Sequence, residues 1–469
     1  MKKKLLLISV VDQESYVKKN FVSPVTIIKF WQPMALGIIA EITPGDWDVE
    51  IIDENFEVFQ YKEADLVGIS SYTTSINKAY RIAQQYKKNK IPVVIGGMHV
   101  SFFPDEAEKY VDTVAIGKAE GLWTDILNDF NNSCLKRRYY SNPDAQVCFR
   151  VNRKVLKKYN YSIGNILTSI GCTNNCDFCN IPAFQDYKVH YRDLDDTVRE
   201  IQELEQDYFL FDDDNFFGST DKQRKRAVEL LKKMIDAKIN KKWWCVTSVD
   251  ISKYPDVLWL AHKAGCVIAF VGMESFDQDE LKSFNKHSNK EFALDSYKSV
   301  IDVFHKNKIA VMSSFICGGD HETPESMMQR GLSLRKTRID NFILRFLTPL
   351  PKTRLYERLE QQGRLLYTSF PEDWIYYNLA TITYKSDHGT TDDFYRAYQK
   401  THELMFAPYK GLIKDPFKYK FFQTVILTKS IRIAIDSHVF LSFCIVGEYQ
   451  SKFWKILFKF RRPKTKFNW

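Results

Sequence analysis

Three cysteines fall within eight residues in the stretch GCTNNCDFCNIP: Cys172, Cys176 and Cys179. Thiolates this close in sequence can converge on one metal centre. Iron–sulfur cubanes are held by cysteine thiolates, normally four. Three thiolates leave one iron without a protein ligand, and an open coordination position can take a substrate or cofactor where a closed one is structural. A zinc site needs a fourth ligand, and the nearest histidine, His190, lies eleven residues past Cys179, which matches no common finger spacing. A redox dithiol would use Cys176 and Cys179 and leave Cys172 idle. The spacing therefore favours an iron–sulfur cluster over both.

Something must position these thiols. The strand-like run NILTSI feeds straight into the cysteine stretch, and YFLFDDDNF, WWCVTSVDIS, VIAFVGMESF, IAVMSSFICGG and NFILRFLTPL follow at regular spacing. Helical patterns such as DTVREIQELEQD and KQRKRAVELLKKMIDAK separate them. Repeated βα units over roughly residues 150–350 imply a parallel barrel or partial barrel, whose chemistry sits at the carboxyl ends of the strands. The polar clusters fall at those ends: the cysteines, Asp212 to Asn215, Glu274 with Ser275, and Asp320 with His321. Asp213, Asp214 and Asn215 are expected to face the reaction cavity as catalytic residues; the alternative is an acidic turn that caps a helix.

Residues 1–140 alternate apolar runs (KLLLISVV, DVEIIDE, DLVGISSYT, PVVIGGMHV, DTVAIG) with helical patterns such as INKAYRIAQQYKKN. Runs rich in Val, Ile and Leu suit strands buried on both faces of a parallel sheet. A doubly wound α/β domain binds ligands at its strand ends. Those ends carry Ser70, Ser71, Thr73 and Thr74, then Gly96, Gly97 and His99, then Gly117 to Gly121 with Glu120. Small and hydroxyl residues there let a bulky cofactor approach the backbone; tight turns are the other explanation.

The 469 residues allow two or three domains, and 45% hydrophobic with 27% charged residues is an ordinary globular composition. The start MKKKLLLISVVDQESY reads as a first strand rather than a signal peptide. Nine cysteines in so long a chain, scattered outside the cluster, suggest a reducing, cytoplasmic setting rather than a disulfide scaffold. The net charge is +9, but residues 411–469 alone hold twelve Lys/Arg against three Asp/Glu, so no nucleic-acid surface over the whole protein is implied. Residues 351–469 read as a helical region ending in a basic, aromatic tail. SKFWKILFKFRRPKTKFNW has the composition of an interfacial helix, which would give peripheral membrane contact; a surface helix packed on the barrel is the competing reading.

C-x3-C-x-Φ-C after a first barrel strand, with Phe178 in the aromatic position, resembles the radical S-adenosylmethionine (SAM) superfamily. FDDDNF, GMES, SFICGGDHET and FLTPLPKTRLY resemble its later strand ends, and QPMALGIIAEITPGDWDVEIIDE, VGISSYTTS and PVVIGGMHVSFFPDEA resemble the cobalamin-binding domain of one subgroup. The likeness covers roughly residues 1–380. It implies a cobalamin-binding-like α/β domain, a partial (β/α)6 barrel and a C-terminal helical region. It also implies that Cys172, Cys176 and Cys179 ligate a [4Fe–4S] cluster whose fourth iron binds SAM. Phe178, Ile316 and Gly318 would then lie near the adenine, and Glu274 and Ser275 near the ribose or amino-acid end. Ser70, Ser71, Thr73, Thr74, Gly96, Gly97, His99 and Glu120 would line the cobalamin site. No D-x-H-x-x-G follows the first strand, so no histidine of that motif ligates cobalt. The family chemistry is usually methylation of an unactivated carbon of a small-molecule or lipid substrate, with an electron from a carrier such as flavodoxin or ferredoxin. Oxidative cyclisation without methyl transfer and a non-catalytic sensor are the alternatives.

Overall fold

The structure is a computed structural model that describes residues 2–11, 17–18, 21–22, 32–142, 144–161, 163–286 and 294–406. The chain divides into two compact units. The first comprises Met1–Tyr161 with Tyr367–Asn378, and the second Ser162–Leu366 with Leu379–Trp469. Residues after 350, read from sequence as one region, are thus shared between both. The basic tail lies outside the described residues.

The first unit is built on six parallel strands: β1 Lys3–Ser9, β2 Trp47–Asp53, β3 Leu66–Ser70, β4 Val93–Gly96, β5 Thr113–Ile116 and β6 Arg138–Tyr140. Their order is β2-β1-β3-β4-β5-β6. The first five are those expected from sequence; β6, only RYY, is too short and polar to announce itself. Leu5, Leu7, Ile51, Val67, Val93, Ile95 and Val114 are fully buried, because helices cover the sheet. These include α1 Met34–Ile42, α2 Ile76–Lys88, α3 Met98–Phe102 and α4 Trp123–Asn131. Residues Tyr367–Asn378 join this unit by side-chain contacts. Trp374 donates from Nε1 to Glu106 (2.9 Å), and Asn77 Nδ2 donates to the Pro371 carbonyl (2.9 Å).

The second unit holds six parallel strands in sequence order: β7 Gly164–Ile166, β8 Tyr208–Phe211, β9 Lys242–Ser248, β10 Cys266–Glu274, β11 Ala310–Cys317 and β12 Asn341–Phe346. Consecutive parallel neighbours give the partial barrel expected. Helices α5 Leu194–Glu203, α6 Asp221–Asp236, α7 Pro255–Lys263, α8 Gln278–Ser283, α9 Leu294–Lys306, α10 Pro324–Thr337, α11 Arg354–Gln361 and α12 Thr391–Phe406 follow. Local sequence fixes several starts. Thr220 with Gln223, and Thr323 with Ser326, form capping boxes at α6 and α10, and Asp277 accepts from two amides at α8. Ser169 and Ile170 depart from the expected first strand and pair instead with Tyr191 and His190 in a separate antiparallel ribbon. That ribbon turns the chain out of β7 into the cysteine loop. Among the described residues no helix is long and apolar enough to cross a membrane.

Candidate functional site

The cysteine loop leaves β7 at its carboxyl end and is held from several sides. Gly171 opens it at φ +103°, and a side chain there would collide with the Lys188 carbonyl, so glycine is required. The Asp177 amide donates to the Phe284 carbonyl at the end of α8 (3.0 Å), and the Leu355 amide of α11 donates to the Asp177 carbonyl (3.0 Å). Arg354 stands 3.1 Å from the Asp177 carboxylate. Asn285 Nδ2 donates to the Asn175 carbonyl (2.9 Å).

The DDDN cluster braces the loop through hydrogen bonds. Asp213 is buried. It accepts from the Thr168 amide (2.8 Å) and hydroxyl (2.6 Å) and from the Ser169 hydroxyl (2.6 Å). Burial outweighs those donors and pushes its carboxyl up to about 6. Asp214 accepts from the Gly171 amide (2.9 Å), and burial raises its pKa too. Asn215 donates to Ser248 (3.1 Å) and Ser219 (3.2 Å). Three successive side chains expected to be catalytic thus brace the strand end and the loop that carries the cysteines.

All three cysteines are free thiols, with Cys176 buried and Cys172 and Cys179 half-buried. Burial pushes them up, Cys176 to about 11 and Cys179 to about 12; neighbouring thiols add to the shift of Cys176 and Cys179, and Asp214 to that of Cys172. Thiols that stay neutral without a cation and feel one another's charge suit a site that ionises on metal binding. Among the described residues no three His, Cys, Asp or Glu side chains converge on a single metal-ion position. A cubane offers each of the three thiolates its own iron and leaves the fourth iron without a protein ligand.

Beside the thiols lies a buried ion pair that sequence reading missed in part. Lys286 Nζ stands 3.2 Å from Glu274 Oε1. Burial works against the ammonium, but the Glu274 carboxylate and the nearby thiols outweigh it and hold its pKa above the usual range. Gly272 makes the room, since a Cβ there would stand 2.8 Å from Glu274 Oε1 and 3.1 Å from Lys286 Nζ. Glu274 itself has φ +63° at a bulge in β10, which swings its carboxylate to the strand end. The neighbouring Ser275 side chain is buried and accepts from the Asp277 amide (3.1 Å). Phe178 packs against an apolar cluster that contains Ile316, Phe284, Leu355 and Tyr384. Gly318 donates to Glu322 (2.6 Å) and accepts from the Tyr384 hydroxyl.

In the first unit, Ser70, Thr74, Gly96 and Gly97 sit half-buried on the strand-end rim, with Gly97 at φ +117° facing the Ser71 carbonyl. The Ser71 and His99 side chains are buried and engaged within the unit. The Ser71 hydroxyl is 3.0 Å from that of Ser75. His99 is buried with Nε2 3.2 Å from Glu106 and Nδ1 3.2 Å from the Thr73 hydroxyl, so both ring nitrogens are engaged. Burial lowers its pKa against the pull of Glu106, and Trp374 packs edge-on at 5.1 Å. Glu120 accepts from the Cys148 amide (3.1 Å), and burial raises its pKa. The loop after β1 lies largely outside the described residues, so the missing histidine motif there has no structural counterpart.

Comparison with known proteins agrees with both units. The B12 binding domain family matches residues 25–127, and the Radical SAM superfamily matches residues 166–329. The bacteriochlorophyllide d C-12(1)-methyltransferase of Chlorobaculum tepidum is 31% identical over 351 residues, which cover 71% of this chain and 74% of that protein. The C-8(2)-methyltransferase of the same organism is 29% identical, covering 76% and 81%. The hopanoid C-2 methylase of Rhodopseudomonas palustris is 26% identical over 73% of this chain and 66% of its own. Among solved structures, the methyltransferase TsrM from Kitasatospora setae, with tryptophan and a SAM analogue bound, superposes with a TM-score of 0.64 over 94% of this chain and 99% of its own, at 14% identity. That likeness speaks to the fold alone. The sequence match at 31% identity goes further and, with a cobalamin-type sheet preceding three free thiols at the mouth of a radical SAM barrel, establishes that the chain belongs to the cobalamin-binding radical SAM enzymes.

Proposed function

We propose that the protein methylates an unactivated carbon on a chlorophyll-type tetrapyrrole. The observation that carries this is the 31% identity to a bacteriochlorophyllide methyltransferase across both units, with a second methyltransferase of that pigment at 29%. The cofactors supply the hard chemistry: a cluster able to reduce SAM, and cobalamin able to carry a methyl group. The chain's own residues bind, orient and exclude water. Cys172, Cys176 and Cys179 hold the cluster. Glu274 and Lys286 offer a carboxylate and an ammonium side by side, which complements a zwitterionic amino acid. Phe178 and Ile316 present an apolar wall suited to an adenine. Ser70, Thr74, Gly96 and Gly97 leave the backbone of the first unit open to a large ring. Half-buried Glu120 lies on the same rim.

An acidic one-electron carrier such as flavodoxin or ferredoxin is the proposed reductant, in a cytoplasmic setting. A membrane role for the tail belongs to residues outside the described ones. Ring closure without methyl transfer is the competing outcome, because the anaerobic magnesium-protoporphyrin IX monomethyl ester cyclase of Rubrivivax gelatinosus is 26% identical over 75% of this chain. The reconstituted protein, incubated anaerobically with SAM, a reductant and bacteriochlorophyllide d, should yield a product heavier by one methyl group together with S-adenosylhomocysteine and 5′-deoxyadenosine. Conversion of magnesium-protoporphyrin IX monomethyl ester to a ring-closed product without S-adenosylhomocysteine would establish the cyclase reading instead. No product from bacteriochlorophyllide d, but methylation of a hopanoid, would overturn the tetrapyrrole assignment.

A further inference from the structure

Asn174 stands between the first two cysteines and bears on the cluster site from two directions. Its backbone amide donates to Cys172 Sγ (3.4 Å). Its side chain is tied at both ends: Nδ2 donates to Ser248 Oγ at the end of β9 (3.2 Å), and Oδ1 accepts from Ser219 Oγ (3.1 Å). Asn215 closes the figure, with Nδ2 donating to the same two hydroxyls, Ser219 at 3.2 Å and Ser248 at 3.1 Å. Four polar side chains from three segments therefore form one ring. Ser248 and Asn215 are buried and Asn174 and Ser219 half-buried, so the ring is partly shielded from water. Nothing in helix or strand pairing requires it: Asn174, Asn215 and Ser219 are loop residues.

We propose that Asn174 is a positioning residue for the cluster. The ring with Ser219, Asn215 and Ser248 fixes the loop so that the Asn174 amide points at Cys172 Sγ, which sets both how firmly iron is retained and how readily the cluster is reduced. Partners that orient a metal ligand typically contribute 10–100-fold in metal affinity. Hydrogen bonds to ligating sulfur also tune cluster potential. The positive end of an N–H dipole stabilises the added electron, so a loosened amide makes reduction harder.

The inference rests on the cluster assignment and not on the substrate, and its readouts need no methyl acceptor, so its failure is separable from failure of the proposed function. Asn174→Ala keeps the backbone amide but opens the ring. Ser248→Ala removes the hydroxyl shared by both asparagines, and Ser248→Thr restores it. Ser326→Ala, in the capping box of α10, is a control that lowers stability away from the loop. Each reconstituted protein is exposed anaerobically to an iron chelator, and its midpoint is followed by redox titration with electron paramagnetic resonance. Asn174→Ala and Ser248→Ala should release iron at least 10-fold faster, with midpoints moved to more negative potential. Ser248→Thr should sit near the wild type on both. The proposal is overturned if the two alanine variants match wild type on either readout, or if Ser326→Ala shifts them equally.

Discussion

The Glu274 carboxylate and the Lys286 ammonium meet at 3.2 Å inside the second unit, and both side chains are nearly inaccessible. A buried pair of this kind adds little net stability, but removal of one partner strands the other charge. Lys286→Met should therefore destabilise the unreconstituted protein by about 3–5 kcal/mol. Glu274→Gln combined with Lys286→Met should recover much of that loss. Urea unfolding of the single and double variants measures both; a double variant no better than Lys286→Met alone would mean the pair does not interact.

The cysteines give the most direct prediction. Cys172→Ala, Cys176→Ala and Cys179→Ala should each lose most of the bound iron after reconstitution and all 5′-deoxyadenosine formation, while their far-ultraviolet circular dichroism stays that of the wild type. Cys134 is an exposed free thiol of the first unit, and Cys134→Ala should keep full iron content. Iron retained at wild-type stoichiometry in any of the three loop variants would remove that cysteine from the ligand set.

The thiols and the parallel strands were legible because their signals are local. Spacing declares a cluster loop, and runs of Val, Ile and Leu declare buried strands. What sequence could not show is the direction of a side chain at a strand end. Asp213 and His99 both follow strands at whose ends function is expected, and both side chains turn inward and engage buried polar groups. Lys286 was invisible for another reason. In KSFNKHSNKE it is one lysine among several, and only the return of the chain after α8 brings it to the end of β10. Asn174 belongs to the cysteine stretch itself, but its partners Ser219 and Ser248 are far along the chain. Each is a long-range pairing, which no periodicity encodes.

Glu280 gives a pH dependence. It is buried on α8, where burial, opposed by the His321 amide at 2.9 Å and reinforced by Glu322, pushes its carboxyl up to about 7. A carboxyl raised from 4.5 binds its proton more tightly folded than unfolded. Its contribution is therefore full below pH 4.5 and is lost as pH rises toward 7, a change of about 3 kcal/mol at 1.36 kcal/mol per unit. Glu280→Gln mimics the protonated form. It should flatten the stability profile across that window and raise the melting temperature at pH 8 relative to wild type. A variant that melts lower at pH 8 while keeping the wild-type slope would show that Glu280 titrates normally.

His99 separates a packing role from a cofactor role. Both nitrogens are engaged, by Glu106 and Thr73, and the ring packs against Phe103 and Trp374. His99→Ala leaves a cavity and removes a partner of Glu106, so it should destabilise the protein by about 2–4 kcal/mol. The milder His99→Gln keeps a hydrogen-bonding side chain and should bind cobalamin with the absorption spectrum of the wild-type complex, since no imidazole is free to reach cobalt. A spectral change in His99→Gln, at unchanged melting temperature, would instead place this imidazole on the metal and require the ring to leave its pocket beside Trp374.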